Sequence, residues 1–164
     1  MRNSYNKPEL KSLYYDEEVE KIPSLDGKTI AITGTTSGTG FIAAKTVAEK
    51  GARTLLLNRK TNRSNKSYDL LKEHSPKANF VDIECDLQSF NSVKKAAKTI
   101  TDLCKDGLDV ICNNAGVMAL KDQATIDGFD IQMQTNHLSH FLLTKELLPL
   151  LEIAAEKRGE ARIV

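Results

Sequence analysis

The stretch from Thr33 to Gly40, TGTTSGTG, limits the folds open to this chain more than any other, because it follows the apolar run Thr29 to Ile32 and opens a segment of helical pattern reaching Gly51. Strand, glycine-rich loop and helix in that order make a phosphate-binding turn. Glycines at 34, 38 and 40 let the backbone turn sharply, let a diphosphate come close without meeting a Cβ, and let the helix pack near the strand. The first N–H groups of such a helix have no intrahelical acceptor and face the anion. Each charge-assisted hydrogen bond there contributes roughly 1.5–3 kcal/mol and the helix dipole about 0.3–1 kcal/mol, so several together hold a dinucleotide. Gly34, Thr36, Ser37, Gly38, Thr39 and Gly40 are therefore candidate binding residues.

Downstream, near-continuous apolar strands alternate with helical segments, the pattern of a parallel sheet covered on both faces. Strands are expected at Thr29 to Thr33, Thr54 to Leu57, Asn79 to Ile83 and Leu108 to Cys112, with Arg162, Ile163 and Val164 opening a fifth. The first helix carries Ala44, Val47 and Ala48 on one face, and Gly51 supplies its left-handed cap. A second helix is expected around Tyr68 to His74, closed by Pro76, after a polar, basic turn from Asn58 to Lys66. Ser89 caps a third, whose Val93, Ala96, Ala97, Ile100, Leu103 and Cys104 recur at helical spacing. A long helix from about Ile126 to Lys157 comes next, with Phe129, Met133, Leu138, Phe141 and Leu142 expected to be buried and Pro149 expected to kink it. The fold class is α/β: a doubly wound parallel sheet, incomplete, with about four strands plus the start of a fifth where such folds have about six. Residues 1–26 form an N-terminal extension in which Leu10, Leu13 and Tyr14 make one amphipathic turn, and 27–164 form the dinucleotide-binding domain.

Composition narrows the function classes. With 23 Lys+Arg against 22 Asp+Glu, the net charge of +1 gives no field favouring nucleic acid or an anionic membrane. Cys85, Cys104 and Cys112 form no CxxC pair and read as small core residues in a reducing compartment. The N-terminus has no apolar run of signal type, and Lys145 and Glu146 interrupt the longest apolar region, so a cytoplasmic protein without a membrane span is expected. His137 and His140 lack companion ligands at metal spacing and read as helix-surface or interface histidines, with no metal expected. Lys94, Lys95 and Lys98 read as a solvated helix face.

At the end of the second strand, where a carboxylate would bind the ribose of NAD, stand Asn58 and Arg59. A guanidinium suits the 2′-phosphate of NADP; the alternative is an exposed arginine in a basic turn beside Lys60 and Arg63. Taken in order, TGTTSGTG, Arg59, Cys85-Asp86-Leu87, Asn113-Asn114-Ala115-Gly116 and Asn136 resemble the short-chain dehydrogenase/reductases over residues 27–164, and residues 125–144 resemble the retinol-dehydrogenase-like branch.

That resemblance implies a Rossmann-type fold, NADP(H) as cofactor, and hydride transfer between nicotinamide and a carbonyl or alcohol carbon, the substrate being lipid-like or retinoid-like. It implies Asp86 on the adenine amino group, the backbone of Leu87 on the same ring, and Asn113, Ala115 and Gly116 bringing backbone close to the ribose. Asn136 would open its helix locally and hold a water in a proton relay, the one catalytic residue expected here. The full-length form would be a homo-oligomer assembled through the helix of Asn136. The family's proton donor is a tyrosine followed four residues later by lysine, with a serine before them. Here the tyrosines are Tyr5, Tyr14, Tyr15 and Tyr68, and the YxxxK match at Tyr68 and Lys72 falls on the helix after strand two. The chain is accordingly expected to be the truncated, cofactor-binding part of the enzyme, inactive alone; the alternative is a non-catalytic nucleotide-binding or partner-binding module that regulates or pairs with a full-length relative.

Overall fold

The structure is a computed structural model that describes residues 12–164; residues 1–11, including Leu10 of the expected amphipathic turn, lie outside the described residues. A parallel sheet runs in the order β3-β2-β1-β4-β5, built from β1 (Thr29–Thr33), β2 (Arg53–Asn58), β3 (Phe80–Glu84), β4 (Val110–Cys112) and β5 (Arg162–Ile163). The order reverses direction between β1 and β4, which opens a crevice at the carboxyl ends of those strands. Within β1, Ile30 and Ile32 point to one face of the sheet and Ala31 to the other, as the two-residue period requires.

Two apolar layers arise from that alternation. On one face, Ile30, Ile32, Leu56 and Phe80 pack with Ala44 and Ala48 of α2 (Gly38–Glu49) and Leu71 of α3 (Asn62–His74). On the other, Ala31, Leu55, Leu57 and Ile83 meet Val93, Ala97 and Ile100 of α4 (Phe90–Leu103) and Leu143 and Leu147 of α6 (Ser139–Arg158). Lys94, Lys95 and Lys98 stay exposed on the opposite side of α4. The short α1 (Tyr15–Lys21) touches α2 through a 2.6 Å hydrogen bond between Tyr15 Oη and Thr46 Oγ1. Among the described residues, no helix is long and apolar enough to cross a membrane.

Two helices depart from the expected bounds. The α3 helix begins at Asn62, inside the basic stretch read as a turn, because Thr61 and Ser64 form a reciprocal capping box: Thr61 Oγ1 accepts from Ser64 N at 3.1 Å and Ser64 Oγ accepts from Thr61 N at 2.9 Å. The last helical run begins at Ile131 rather than Ile126, since Asp130 caps it, its Oδ1 accepting from Met133 N at 2.8 Å. Residues before it fold into a turn at Gly128, with Thr125 N donating to Phe129 O.

The run is also divided. After α5 (Ile131–Met133), a π-helical turn spans Gln134–Leu138 before α6 begins, and α6 continues through Pro149 to Arg158. The expected buried face is wrong: Phe129, Met133 and Phe141 are exposed, and Leu138 and Leu142 only half-buried. A π turn holds an extra residue, which rotates the side chains beyond it about the helix axis. The residues facing inward are Ile131, Gln134, Thr135, Ser139, His140, Leu143 and Leu147. Four of those are polar, and hydrogen bonding makes their burial tolerable for Gln134, bonded to Asp127, and for Ser139, whose Oγ donates to Leu87 O at 2.6 Å.

Candidate functional site

The β1–α2 turn shows why it needs glycine. Gly34 has φ +73°, and a Cβ there would stand 2.8 Å from the Cβ of Ala115. A Cβ on Gly40 would overlap the Asn114 side-chain amide and the carbonyl oxygen of Gly34, so this residue lets α2 start against the β4 loop. Gly38, at φ +60°, faces open space. The α2 N-cap, Ser37, is extended and its side chain accepts nothing from the first turn, which leaves the first N–H groups of α2 free for an anion. Ser37 Oγ instead accepts from Arg63 Nη2, a bond joining the glycine loop to the first turn of α3.

The loop is fixed from beneath by Asn58, at the end of β2 and buried. Its Oδ1 accepts from Thr35 N at 2.9 Å and its Nδ2 donates to Thr35 Oγ1 at 2.7 Å. Asn58 therefore serves the site by shaping the loop, with its side-chain amide already paired. Asn114 does the same from the β4 side, donating from Nδ2 to Thr33 O at 2.8 Å. Thr33 Oγ1 accepts from Ala115 N at 2.9 Å.

These elements enclose a cleft of about 390 Å³ at the switch point of the sheet. Of the residues anticipated from sequence, Gly34, Thr36, Ser37, Thr39, Gly40, Asn58, Arg59, Asp86, Leu87, Ala115 and Gly116 line it. Gly38 sits at the turn itself, and Asn113 is turned away, its Nδ2 donating to Thr144 Oγ1 at 3.1 Å and its backbone N to Val164 O at 2.7 Å. Asp86 is held by its own turn: its Oδ1 accepts from Gln88 N and its backbone N donates to Ser92 Oγ, both at 2.9 Å. Asn136 lies in the π turn and clamps the backbone of Val117, accepting from its N–H and donating to its carbonyl, each at 2.8 Å.

Further lining residues escaped sequence reading: Thr61, Arg63, Asn114, Val117 and Thr135. Arg63 carried a usable signal as a second arginine in the same basic stretch as Arg59, and it reaches the cleft because α3 starts early, at Asn62. Thr135 carried none; it is buried, and its Oγ1 has no hydrogen-bond partner among the described residues. His140 also differs from expectation. It is only 6% exposed, so it is a core histidine rather than a surface one, and burial holds its pKa below the usual histidine value. His137 is exposed, and among the described residues no group of His, Cys, Asp or Glu is placed to hold a metal. Tyr68 and Lys72 lie apart from the cleft on α3, where Lys72 Nζ donates to Ala78 O at 3.0 Å and sits 5.5 Å above the Phe80 ring. Burial, with the Asp86 carboxylate beside it, pushes the Cys85 thiol up to about 12, which disfavours the thiolate.

Comparisons with known proteins agree with this architecture. Human retinol dehydrogenase 13 is 33% identical over 136 residues, which cover 82% of this chain and 40% of that protein. Among solved structures, the RhlG/NADP active-site complex of Pseudomonas aeruginosa superposes with a TM-score of 0.70 at 29% identity, covering 85% of this chain and 54% of that one. The 3-ketoacyl-(acyl-carrier-protein) reductase of Brucella melitensis, complexed with NADH, gives a TM-score of 0.68 at 25% identity, covering 85% and 56%. The chain spans less than half the length of the curated relatives it matches. With the short chain dehydrogenase family model matching residues 28–164, on a Rossmann-type sheet with its cleft at the switch point, this chain belongs to the short-chain dehydrogenase/reductase family.

Proposed function

We propose that residues 27–164 are the cofactor-binding portion of an NADP(H)-dependent oxidoreductase that interconverts a carbonyl and an alcohol. The observation that carries this reading is the wall of the cleft at the end of β2, where Arg59 and Arg63 stand together; Asp86, at the end of β3, is the only acidic side chain lining the cleft among the described residues. Two guanidiniums favour a 2′-phosphate, whereas the ribose hydroxyl of NAD calls for a carboxylate. The free N–H groups at the start of α2 bind the diphosphate, with Gly38 leaving room for it. Asp86 and the Leu87 backbone take the adenine, and the backbone of Ala115 and Gly116 borders the ribose. Asn136 holds Val117 and, through the π turn, presents the backbone around which a relay water would be organised. When bound, the nicotinamide supplies or accepts the hydride.

The whole protein would act in the cytoplasm on a lipid-like carbonyl or alcohol and assemble as a homo-oligomer through α6, whose Phe141 and Leu148 are exposed. Proton delivery from a positioned group is worth about 10²–10⁴-fold in rate, and no tyrosine among the described residues lies at the cleft. The 164-residue chain is therefore expected to oxidise NADPH with no carbonyl substrate at a measurable rate, as followed by absorbance.

The decisive test is calorimetric titration of Arg59→Ala with both cofactors. Loss of a charged hydrogen bond should weaken NADPH by roughly 10- to 100-fold and leave NADH within about twofold. Equal weakening of both would overturn the NADP assignment.

A further inference from the structure

The loop after β4 is held by a closed ring of hydrogen bonds whose corner is His140. Ala115 N donates to Thr33 Oγ1 at 2.9 Å, and Thr33 Oγ1 lies 2.9 Å from His140 Nε2. His140 Nδ1 lies 3.1 Å from the carbonyl oxygen of Asn136. Asn136 in turn grips both backbone groups of Val117, two residues beyond Ala115.

The chemistry of the partners fixes the direction of each bond. A carbonyl can only accept, so His140 must carry its proton on Nδ1. Its Nε2 then has only a lone pair to offer and must receive the Thr33 hydroxyl proton. The other acceptor near that hydroxyl, the carbonyl of Cys112, is 3.4 Å away. Thr33 is 1% exposed and His140 6%, so an unmatched partner could not turn to water.

We propose that His140, as the neutral Nδ1–H tautomer, is a positioning residue that couples the cofactor-facing loop 115–117 to the π turn bearing Asn136. It does so from both sides: through Thr33 it sets where the Ala115 amide lies, and through the Asn136 carbonyl it holds the turn from which Val117 is clamped. The effect on binding rests on the nucleotide-binding reading above; the ring does not.

The test has one part free of cofactor. In protein labelled with ¹⁵N histidine, the nitrogen shifts of His140 at pH 7.5 should show Nδ1 protonated and Nε2 bare, the reverse of the tautomer that dominates in free histidine; an Nε2–H signal would overturn the proposal. In His140→Phe, amide exchange at both Ala115 and Val117 should quicken at least tenfold while β2 amides stay unchanged. Acceleration at neither, or at Val117 alone, would refute the coupling. Thr33→Val should reproduce the Ala115 effect, and the double variant should exceed the larger single effect there by less than about twofold, since both substitutions cut one chain; full multiplication of the two would mean independent contacts. If His140→Phe does not fold, the tautomer and Thr33→Val decide. NADPH affinity, measured alongside, should fall about tenfold in both single variants. Absence of NADPH and NADH binding by the unaltered chain would count against the nucleotide reading while the tautomer and exchange results still judged the ring.

Discussion

The two ends of the strands are built on different principles. At the amino ends the chain is closed by charge: Asp109, buried just before β4, accepts from Arg158 Nε at 2.6 Å and from Thr29 N at 2.8 Å and pairs with Lys28 at 3.3 Å, tying β1, β4 and α6 into one knot. At the carboxyl ends the buried polar groups are uncharged, the backbone is left-handed at Gly34 and Gly38, and the first turn of α2 keeps free donors. One end is satisfied internally. The other keeps open donors at the switch point, as the proposed cofactor site requires.

The contrast breaks most visibly at Gly40. A methyl group there overlaps a backbone carbonyl and the Asn114 amide, neither of which can retreat without moving β1 or the β4 loop. Gly40→Ala should raise the Kd for NADPH by about 100-fold or more, near the roughly 3 kcal/mol upper end of overpacking. Titration near the unaltered affinity would show that the loop is soft rather than pre-shaped.

Asp109→Ala probes the opposite end. It leaves Thr29 N–H unpaired and takes the carboxylate from two cations, but Arg158 keeps its bond to the Asp106 carbonyl, and Arg158 and Lys28 keep about a quarter of their side-chain surface in water. The loss should therefore be about 2–3 kcal/mol, under the roughly 3–5 kcal/mol of a fully buried pair. Melting should drop by roughly 5–10 °C. NADPH affinity, taken well below the melting point, should hold within about twofold; a larger change would mean that the two ends are mechanically coupled.

Legibility in the sequence divides along the same line. The glycine loop, the strands and the α4 face were legible because each rests on local backbone chemistry or on repeating apolar residues, and β1 falls on Thr29–Thr33 as expected. The start of α3 was hidden by a capping box made of polar residues in a basic stretch. The π turn was hidden for a deeper reason: the inward face of the turn and of the start of α6 carries Gln134, Ser139 and His140, which are acceptable only because of their partners Asp127, Leu87 and Thr33, between 7 and 107 residues away in the chain. Hydrophobic periodicity cannot see a partner, so it chose Met133 and Phe141, which face outward. Asn136 was legible only through family resemblance.

The smallest expected effect separates the two ends by pH. At the amino end, the exposed Asp102 and Asp106 have pKa values held down by hydrogen bonds from Lys98 and Lys105 and from Lys157 respectively, so what they add to stability is present above the ordinary carboxylate value near 4 and is lost as pH falls through the acid range. At the carboxyl end, burial lowers the His140 pKa, and the same sign applies at a higher window. The unfolded chain takes up a proton near pH 6.5 before the folded one does, so the stability tied to neutral His140 is complete above that value and declines as pH falls below it. Melting curves at pH 7.5 and 5.5 should show a larger drop for the unaltered chain than for His140→Gln, which cannot titrate, whereas Asp106→Asn should leave that drop unchanged. Equal drops in the unaltered chain and His140→Gln would mean that the imidazole accepts its proton without disturbing the ring, and would place the pH-sensitive part of the fold elsewhere.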